Sequence, residues 1–149
     1  MSLLTGCAAW YGYTCVEFPN ADGAGLPDEE IGYLDFGEIN ISVHIDDIQV
    51  RPGGSWDAGE FISLYGLREE ETACFARLQP GSHTIRINDR YGQNRPVDAT
   101  LIIEVEAGHR YKIHTDGCYM CKEWRSAAWI EDQDTGKIVA GMAPDWWLW

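Results

Sequence analysis

Hydrophobic and polar residues alternate along several short stretches of the chain, among them 39–45, 83–87, 100–106 and 110–114. A period of two residues is typical of a strand that buries one face and exposes the other. We therefore predict strands at these positions. The residues predicted to face inward are Ile39, Ile41, Val43, Ile45, His83, Ile85, Ile87, Leu101, Ile103, Val105, Tyr111 and Ile113.

Turn residues separate these stretches. In Pro80-Gly81, proline presets φ for the second position of a tight turn, and glycine tolerates a positive φ at the third. The segment therefore predicts a strand, a chain reversal and a second strand. Turns are also predicted at Asp46-Asp47, at Ala107-Gly108 and at 131–136, with a strand on either side of each.

Together, the strands and turns predict an all-β fold. We count seven to eight short strands at regular spacing and little or no helix, which is the pattern of an antiparallel β-sandwich. No linker divides the body of the chain. We expect residues 1–30 to hold a signal remnant and a tether, and residues 31–149 to form a single sandwich domain.

The charge of the chain narrows the classes of partner. It carries 24 acidic and 11 basic residues among 149, a formal net charge of −13. Binding to phosphate groups requires a clustered positive surface, so nucleic acid is not an expected partner. No stretch of about 18 apolar residues is present, as a membrane-spanning helix would require.

The first residues suggest a lipid anchor. Leu4-Thr5-Gly6-Cys7 resembles the lipobox of bacterial lipoproteins, in which signal peptidase cuts before the cysteine and the cysteine thiol is lipidated. A charged leader and a full apolar region do not precede the motif, so we expect residues 1–6 to be the remnant of a longer signal peptide. The resemblance implies a membrane partner through lipidated Cys7 and a periplasm-facing location in the bacterial cell envelope, at the outer membrane.

The cysteine count agrees with this location. The chain has five cysteines, and a secreted protein seldom keeps a free thiol. Reserving Cys7 for lipid leaves Cys15, Cys74, Cys118 and Cys121, which suffice for two disulfides in an oxidising periplasm. Three pairings are open. The alternative is a cytosolic protein with five reduced cysteines.

Three segments, 75–87, 104–113 and 129–139, resemble PEGA-type β-sandwich domains of small bacterial lipoproteins. The shared features are a Leu-x-Pro-Gly-x-His turn and a later Ala-Gly-x-x-Tyr hairpin. Residues 43–50 are similar to the opening hairpin of these domains, although Asp47 stands where glycine is usual. The resemblance covers roughly residues 39–139, and it implies a sandwich that serves as an accessory or surface module.

The motif Cys118-Tyr119-Met120-Cys121 is the sharpest candidate for chemistry. Such a pair can bind zinc, act as a redox centre or form disulfides. A structural zinc site needs four ligands, and no second pair is present, although His114 lies four residues earlier. A redox centre of the thioredoxin type places its first cysteine at a helix N-terminus, and no helix is predicted here. Disulfides are favoured, with zinc and redox chemistry as alternatives.

His83 and the C-terminal tryptophans each have a possible functional role and a possible structural role. His83 could be a ligand or a catalytic base, but we favour a histidine that packs at the edge of the core and hydrogen-bonds a neighbouring backbone group. No Gly-x-Ser-x-Gly, His-Glu-x-x-His or glycine-rich loop leading into a helix is present. Trp146, Trp147 and Trp149 could stack on a ligand, or they could cover an open sheet face or edge.

The predicted function is that of a non-enzymatic envelope lipoprotein, an accessory or binding module without a cofactor. The expected partners are the membrane and either an envelope protein or a glycan. One alternative is a carbohydrate- or peptidoglycan-binding module that uses the C-terminal tryptophans. Another is a thiol-redox or zinc-binding protein that uses Cys118 and Cys121.

Overall fold

The computed structural model describes residues 14–37, 42–51, 71–88, 98–118 and 125–143, and most of them lie in strands. The ten strands of this part of the chain are β1 (Thr14–Glu17), β2 (Gly32–Asp35), β3 (Ser42–Ile45), β4 (Ile48–Arg51), β5 (Glu71–Leu78), β6 (Gly81–Asn88), β7 (Asp98–Val105), β8 (Arg110–Cys118), β9 (Arg125–Asp132) and β10 (Lys137–Gly141). Within the described ranges, the only helical element is the 3₁₀ turn Asp28–Glu30. The predicted all-β class is confirmed.

The strands form two sheets around a shared core. The six-stranded sheet has the order β1-β5-β2-β8-β9-β10, and the four-stranded sheet has the order β4-β3-β6-β7. Most neighbouring strands run antiparallel, but the pairs β1–β5 and β2–β8 are parallel. The described residues thus hold more strands than the seven to eight predicted, and the six-stranded sheet is mixed.

The two strands β1 and β2 explain most of this difference. Each is four residues long, which is too short for a period of two to stand out in the sequence. β1 pairs with β5, and Phe18, which directly follows β1, is buried in the core. The folded body therefore includes part of segment 1–30, where we expected a signal remnant and a tether.

Arg77 on β5 holds the chain that follows β1 against the sheet. Its guanidinium group lies 2.6 Å from a carboxylate oxygen of Asp28 and 3.6 Å from one of Glu17, and it donates a hydrogen bond to the Leu26 carbonyl. Burial raises the pKa of Glu17, and the positive charge of Arg77 opposes that rise. These contacts make residues 17–28 a docked loop.

The core lies between the two sheets. Its buried residues confirm the predicted alternation of inward and outward positions. The predicted inward residues that the structure describes are all buried, namely Val43, Ile45, His83, Ile85, Ile87, Leu101, Ile103, Val105, Tyr111 and Ile113. Ile39 and Ile41 lie outside the described residues. The segment between β1 and β3 adds Phe18, Leu34 and Phe36, which the pattern did not single out.

The segment around Pro80-Gly81 forms a corner between the sheets. The predicted strand, turn and strand are present, but β5 belongs to the six-stranded sheet and β6 to the four-stranded sheet, so the two strands do not pair. Gly81 has a φ of 126°, a conformation that favours glycine. Ala107-Gly108 likewise carries the chain from β7 to β8 in the other sheet.

Candidate functional site

A cleft of about 180 Å³ opens where the corner after β5 meets two other segments. These segments are the loop that follows β1 and the turn between β3 and β4. The floor of the cleft is apolar and is formed by Phe18, Ile45, Val50 and Leu78. Asp22 and Asp46 lie among the polar residues that line it.

The β3–β4 turn places Asp46 at the cleft. Asp46 and Asp47 have φ values of 48° and 67°, which is the left-handed backbone of a two-residue hairpin turn and confirms the predicted turn. The Asp46 backbone amide donates to the Thr84 carbonyl at 2.8 Å, and the Thr84 amide donates to Asp46 Oδ1 at 2.9 Å. The tip of the hairpin is therefore fixed against β6.

The loop after β1 places Asp22 on the same side of the corner. The Gln79 backbone amide donates to Asp22 Oδ1 at 2.9 Å, and the Gln79 side-chain amide donates to the Asp22 carbonyl at 2.8 Å. The Gly23 amide donates to the Arg77 carbonyl at 2.9 Å. A Cβ on Gly23 would lie 2.6 Å from that carbonyl oxygen, so the close approach of the loop to β5 requires glycine.

His83 lies where the hairpin tip, the loop and the corner meet, and it is only 4% exposed. Its Nδ1 is 2.6 Å from Asp46 Oδ2, and its Nε2 is 2.7 Å from the Gln79 carbonyl oxygen. Carboxylate and carbonyl oxygens only accept hydrogen bonds, so both ring nitrogens have to donate, which requires the imidazolium form. Burial lowers the pKa of His83, but the bonds to Gln79 and Asp46 and the charges of Asp46 and Asp22 outweigh it and leave the pKa raised.

This geometry gives His83 a structural role. A general base needs a free ring nitrogen that can take a proton from a substrate, and both nitrogens of His83 are engaged as donors. The expected hydrogen bond to a neighbouring backbone group is present at Gln79. With Asp22 Oδ2 3.9 Å from Nε2, the buried imidazolium faces two carboxylates, so the three groups carry one net negative charge.

A second histidine cluster lies at the β7–β8 corner. His109 Nδ1 is 2.7 Å from Asp132 Oδ2, and His109 Nε2 is 3.3 Å from Glu106 Oε2. The hydrogen bond to Asp132 raises the pKa of His109, and burial opposes this rise. Asp132 Oδ1 accepts the backbone amides of Asp134 and Thr135, so the side chain also caps the predicted turn at 131–136.

The cluster of Glu106, His109 and Asp132 has ligand atoms within 4.8 Å of one another. That spacing is compatible with a metal ion. However, both nitrogens of His109 already face these carboxylates, and each oxygen of Asp132 accepts a bond. The three side chains therefore form a group of ion pairs that links the β9–β10 turn to the β7–β8 corner.

Two of the cysteines form a disulfide. Cys15 on β1 is bonded to Cys74 on β5, and both residues are buried. This bond belongs to one of the three pairings that the sequence left open, the one that would join Cys118 to Cys121. Cys7 and Cys121 lie outside the described residues, and the structure describes only the backbone of Cys118. Lipidation of Cys7 and a second disulfide therefore stay predictions.

The extended backbone of β8 separates His114 from Cys118. The two residues are four positions apart on one strand, so their Cα atoms are roughly 13 Å apart at about 3.3 Å per residue. His114 lies 3.2 Å from Glu131 Oε1 through its Nε2, and its ring stacks on Trp129. The structure thus gives His114 partners other than the Cys118-Cys121 motif, while zinc or redox chemistry at that motif itself stays untested.

The predicted aromatic ligand site falls on Trp146, Trp147 and Trp149, which lie outside the described residues. The residues that surround the cleft were not predicted as a group. Asp22 and Asp46, which line the cleft, and their neighbour His83 come from three distant segments. Only His83 was singled out in the sequence as a candidate for chemistry. The available signal for Asp46 was an acidic residue in a predicted turn, which by itself indicates only turn chemistry.

Comparisons with protein families, curated proteins and solved structures found no match to the chain. The resemblance to PEGA-type domains therefore stays a prediction from the residues that carry it. In the part of the chain that the structure describes, no helix is long and apolar enough to cross a membrane.

Proposed function

We propose that the chain is a non-enzymatic binding module of the bacterial cell envelope. In this proposal a lipid on Cys7 anchors it to the outer membrane, and the sandwich faces the periplasm. The observation that carries the proposal is the disulfide between Cys15 and Cys74. Disulfides persist in oxidising compartments such as the periplasm and are rare in the cytosol.

The position of the disulfide supports a structural purpose. It joins the edge strand β1 to β5 across a sequence separation of 59 residues. In the chain-entropy account, closing a loop of this length contributes about 4 kcal/mol to stability. A bond that pins an edge strand in the sheet is useful to a protein without access to cytosolic chaperones and reductants.

A lipid on Cys7 would also fix which side of the sandwich is near the bilayer. Thr14, the start of β1, lies seven positions after Cys7, and an extended chain spans at most about 3.6 Å per position. The β1 edge of the six-stranded sheet would then remain within about 25 Å of the anchored cysteine.

Two of the histidines that the structure describes favour binding over catalysis. His83 and His109 each have both ring nitrogens beside acceptor atoms, so neither offers a free base. The cleft beside His83 has the apolar floor and the few polar groups that are common in ligand sites. A binding module of this kind requires a shaped surface and a rigid scaffold, without a nucleophile.

Metabolic labelling tests the anchor. The chain is produced in bacteria behind a complete lipoprotein signal peptide and grown with radiolabelled palmitate. We expect label on the wild-type protein and on Cys118→Ser, and none on Cys7→Ser, which should leave the membrane fraction. Label that persists in Cys7→Ser, or a wild-type protein without label, would contradict the proposal.

Non-reducing peptide mapping tests the compartment independently. Protein recovered from the cell envelope should yield a linked peptide pair that contains Cys15 and Cys74. The same digest reports on Cys118 and Cys121. A reduced pair with stoichiometric zinc there would favour the metal-binding alternative, whereas a disulfide without metal would remove it.

A further inference from the structure

We propose that the cleft beside His83 binds a small organic ammonium cation. The apolar body of the ligand would lie on the floor of the cleft, and its ammonium group would face Asp22 and Asp46. The inference rests on the proposed role of a binding module and names the class of ligand.

The cleft fits a compact apolar group. Its volume of about 180 Å³ is similar to that of a cavity of roughly 150 Å³ that holds benzene. The floor residues Phe18, Val50 and Leu78 are buried within the core, so the floor is fixed by packing. A single ring or a chain of about six carbon atoms is therefore the size of ligand that this cleft accommodates.

The charged groups at the cleft select a cation. Asp22 and Asp46 have side chains that are 48% and 44% exposed, so solvent and ligands reach both. His83 neutralises only one of the two carboxylates. The remaining negative charge attracts a cation and disfavours an anion, which would have to approach two carboxylates at close range.

Asp22 has room for an additional donor. Its Oδ1 accepts the Gln79 amide, but its Oδ2 lies 3.9 Å from His83 Nε2, which is too far for a hydrogen bond. An ammonium group has three donors and can bond this oxygen while it remains partly hydrated. The cluster at His109 lacks this arrangement, since there the carboxylates and the histidine bond one another directly.

The test is a titration of the ¹⁵N-labelled chain with benzylammonium chloride, followed by two-dimensional NMR at constant ionic strength. We expect saturable shifts at Ala21, Asp22 and Ile48, with a dissociation constant on the order of 1 mM, as is usual for a small ligand. The acidic turn at 132–134 serves as an internal control for non-specific attraction to an acidic protein. Benzyl alcohol, which has the same shape without the charge, should bind at least about fivefold more weakly.

Two variants locate the site. Asp22→Asn keeps an oxygen for the Gln79 amide but removes the charge, and we expect it to weaken binding about fivefold. Asp47→Asn is the matched control, because Asp47 occupies the same turn as Asp46 but does not line the cleft. Ala21→Leu should fill the cleft and remove saturable binding, provided that its amide spectrum shows the native fold.

The inference is overturned if benzylammonium gives no saturable shifts or shifts the acidic turn equally. It is also overturned if benzyl alcohol binds as tightly, or if Asp47→Asn weakens binding as much as Asp22→Asn does. None of these outcomes depends on lipid attached to Cys7 or on the disulfide map. Failure here therefore leaves the envelope assignment standing, and failure of the anchor leaves the cleft result unaffected.

Discussion

His83 and His109 have nearly the same immediate partners but very different surroundings. Each ring places Nδ1 2.6–2.7 Å from an aspartate oxygen and has a second acceptor beside Nε2. For His83 that second acceptor is a backbone carbonyl, and the residue is buried. For His109 it is the exposed side chain of Glu106, and the His109 side chain is itself 29% exposed.

The difference shows how burial decides the value of an ion pair. Around His109, water reaches the ring and Glu106 when the pairs break. Asp132 is buried, but it keeps the backbone amides of Asp134 and Thr135 as partners, so the loss of stability is smaller. Around His83, a broken bond would leave a buried polar group without a partner, which costs far more. We therefore expect the same pair of residue types to contribute less to stability at the β7–β8 corner than at the corner after β5.

The strongest test of this contrast is to remove each ring. We expect His83→Ala to lower the free energy of unfolding by about 2–4 kcal/mol, since Asp46 and the Gln79 carbonyl lose a buried partner. His109→Ala should lower it much less. Urea unfolding of both variants measures the two losses.

Ser82→Ala, on the exposed residue next to His83, is the control and should match the wild type. Equal losses in the two histidine variants would show that burial is not the deciding factor.

The next test is the pH dependence of stability. The pKa of His83 lies above its ordinary value of 6.5, because Gln79, Asp46 and Asp22 more than offset the effect of burial. The folded state therefore holds the proton more tightly than the unfolded state. This stabilisation is fully present below pH 6.5 and is lost as the pH rises through the raised pKa.

We therefore expect the wild-type protein to lose stability on the alkaline side of pH 6.5, as measured by urea unfolding at a series of pH values. His83→Gln should flatten this profile, because the titrating group is gone. His109 has a raised pKa as well, so His109→Gln should also remove part of the slope. A wild-type profile that does not fall with rising pH would contradict the charged state assigned to His83.

The smallest expected effect is a change in the pKa values of the His83 and His109 rings. NMR measures these values in Asp132→Asn and Asp46→Asn. The bond to Asp132 is the main cause of the raised pKa of His109, so its loss should return that pKa towards the ordinary value. The loss of the Asp46 charge should lower the pKa of His83 from its raised value, because burial is then opposed by fewer groups.

Asp47→Asn should change neither histidine, since its side chain is not a partner that raises either pKa. If the pKa of His83 did not fall without the Asp46 charge, the Gln79 carbonyl and the charge of Asp22 would be sufficient to hold the proton.

The sequence predicted those features of the fold that repeat locally. The alternation identified Ile85, Ile87 and Ile103 as core residues because a strand repeats every two residues whatever its neighbours are. It could not show that the strands on either side of Pro80 lie in different sheets. A turn residue indicates that the chain changes direction. Which strand then pairs with the next one depends on the fold of the whole molecule.

The candidate site was harder to predict from the sequence for the same reason. The sequence pattern singled out His83 because it occupies an inward position of a predicted strand directly after a turn. Its partner Asp46 lies 37 positions earlier in the chain, and the disulfide joins cysteines 59 positions apart. Such distant pairs leave no periodic signal, because they depend on which strands and turns become neighbours in the folded chain.

The bond between Cys15 and Cys74 also determines what a protease would leave behind. A single cut anywhere between these two residues divides the chain in sequence, but the two pieces remain covalently joined. On a denaturing gel the nicked chain would migrate as one species until a reductant is added. A nicked chain would thus retain its N-terminal strand and any anchor attached to it.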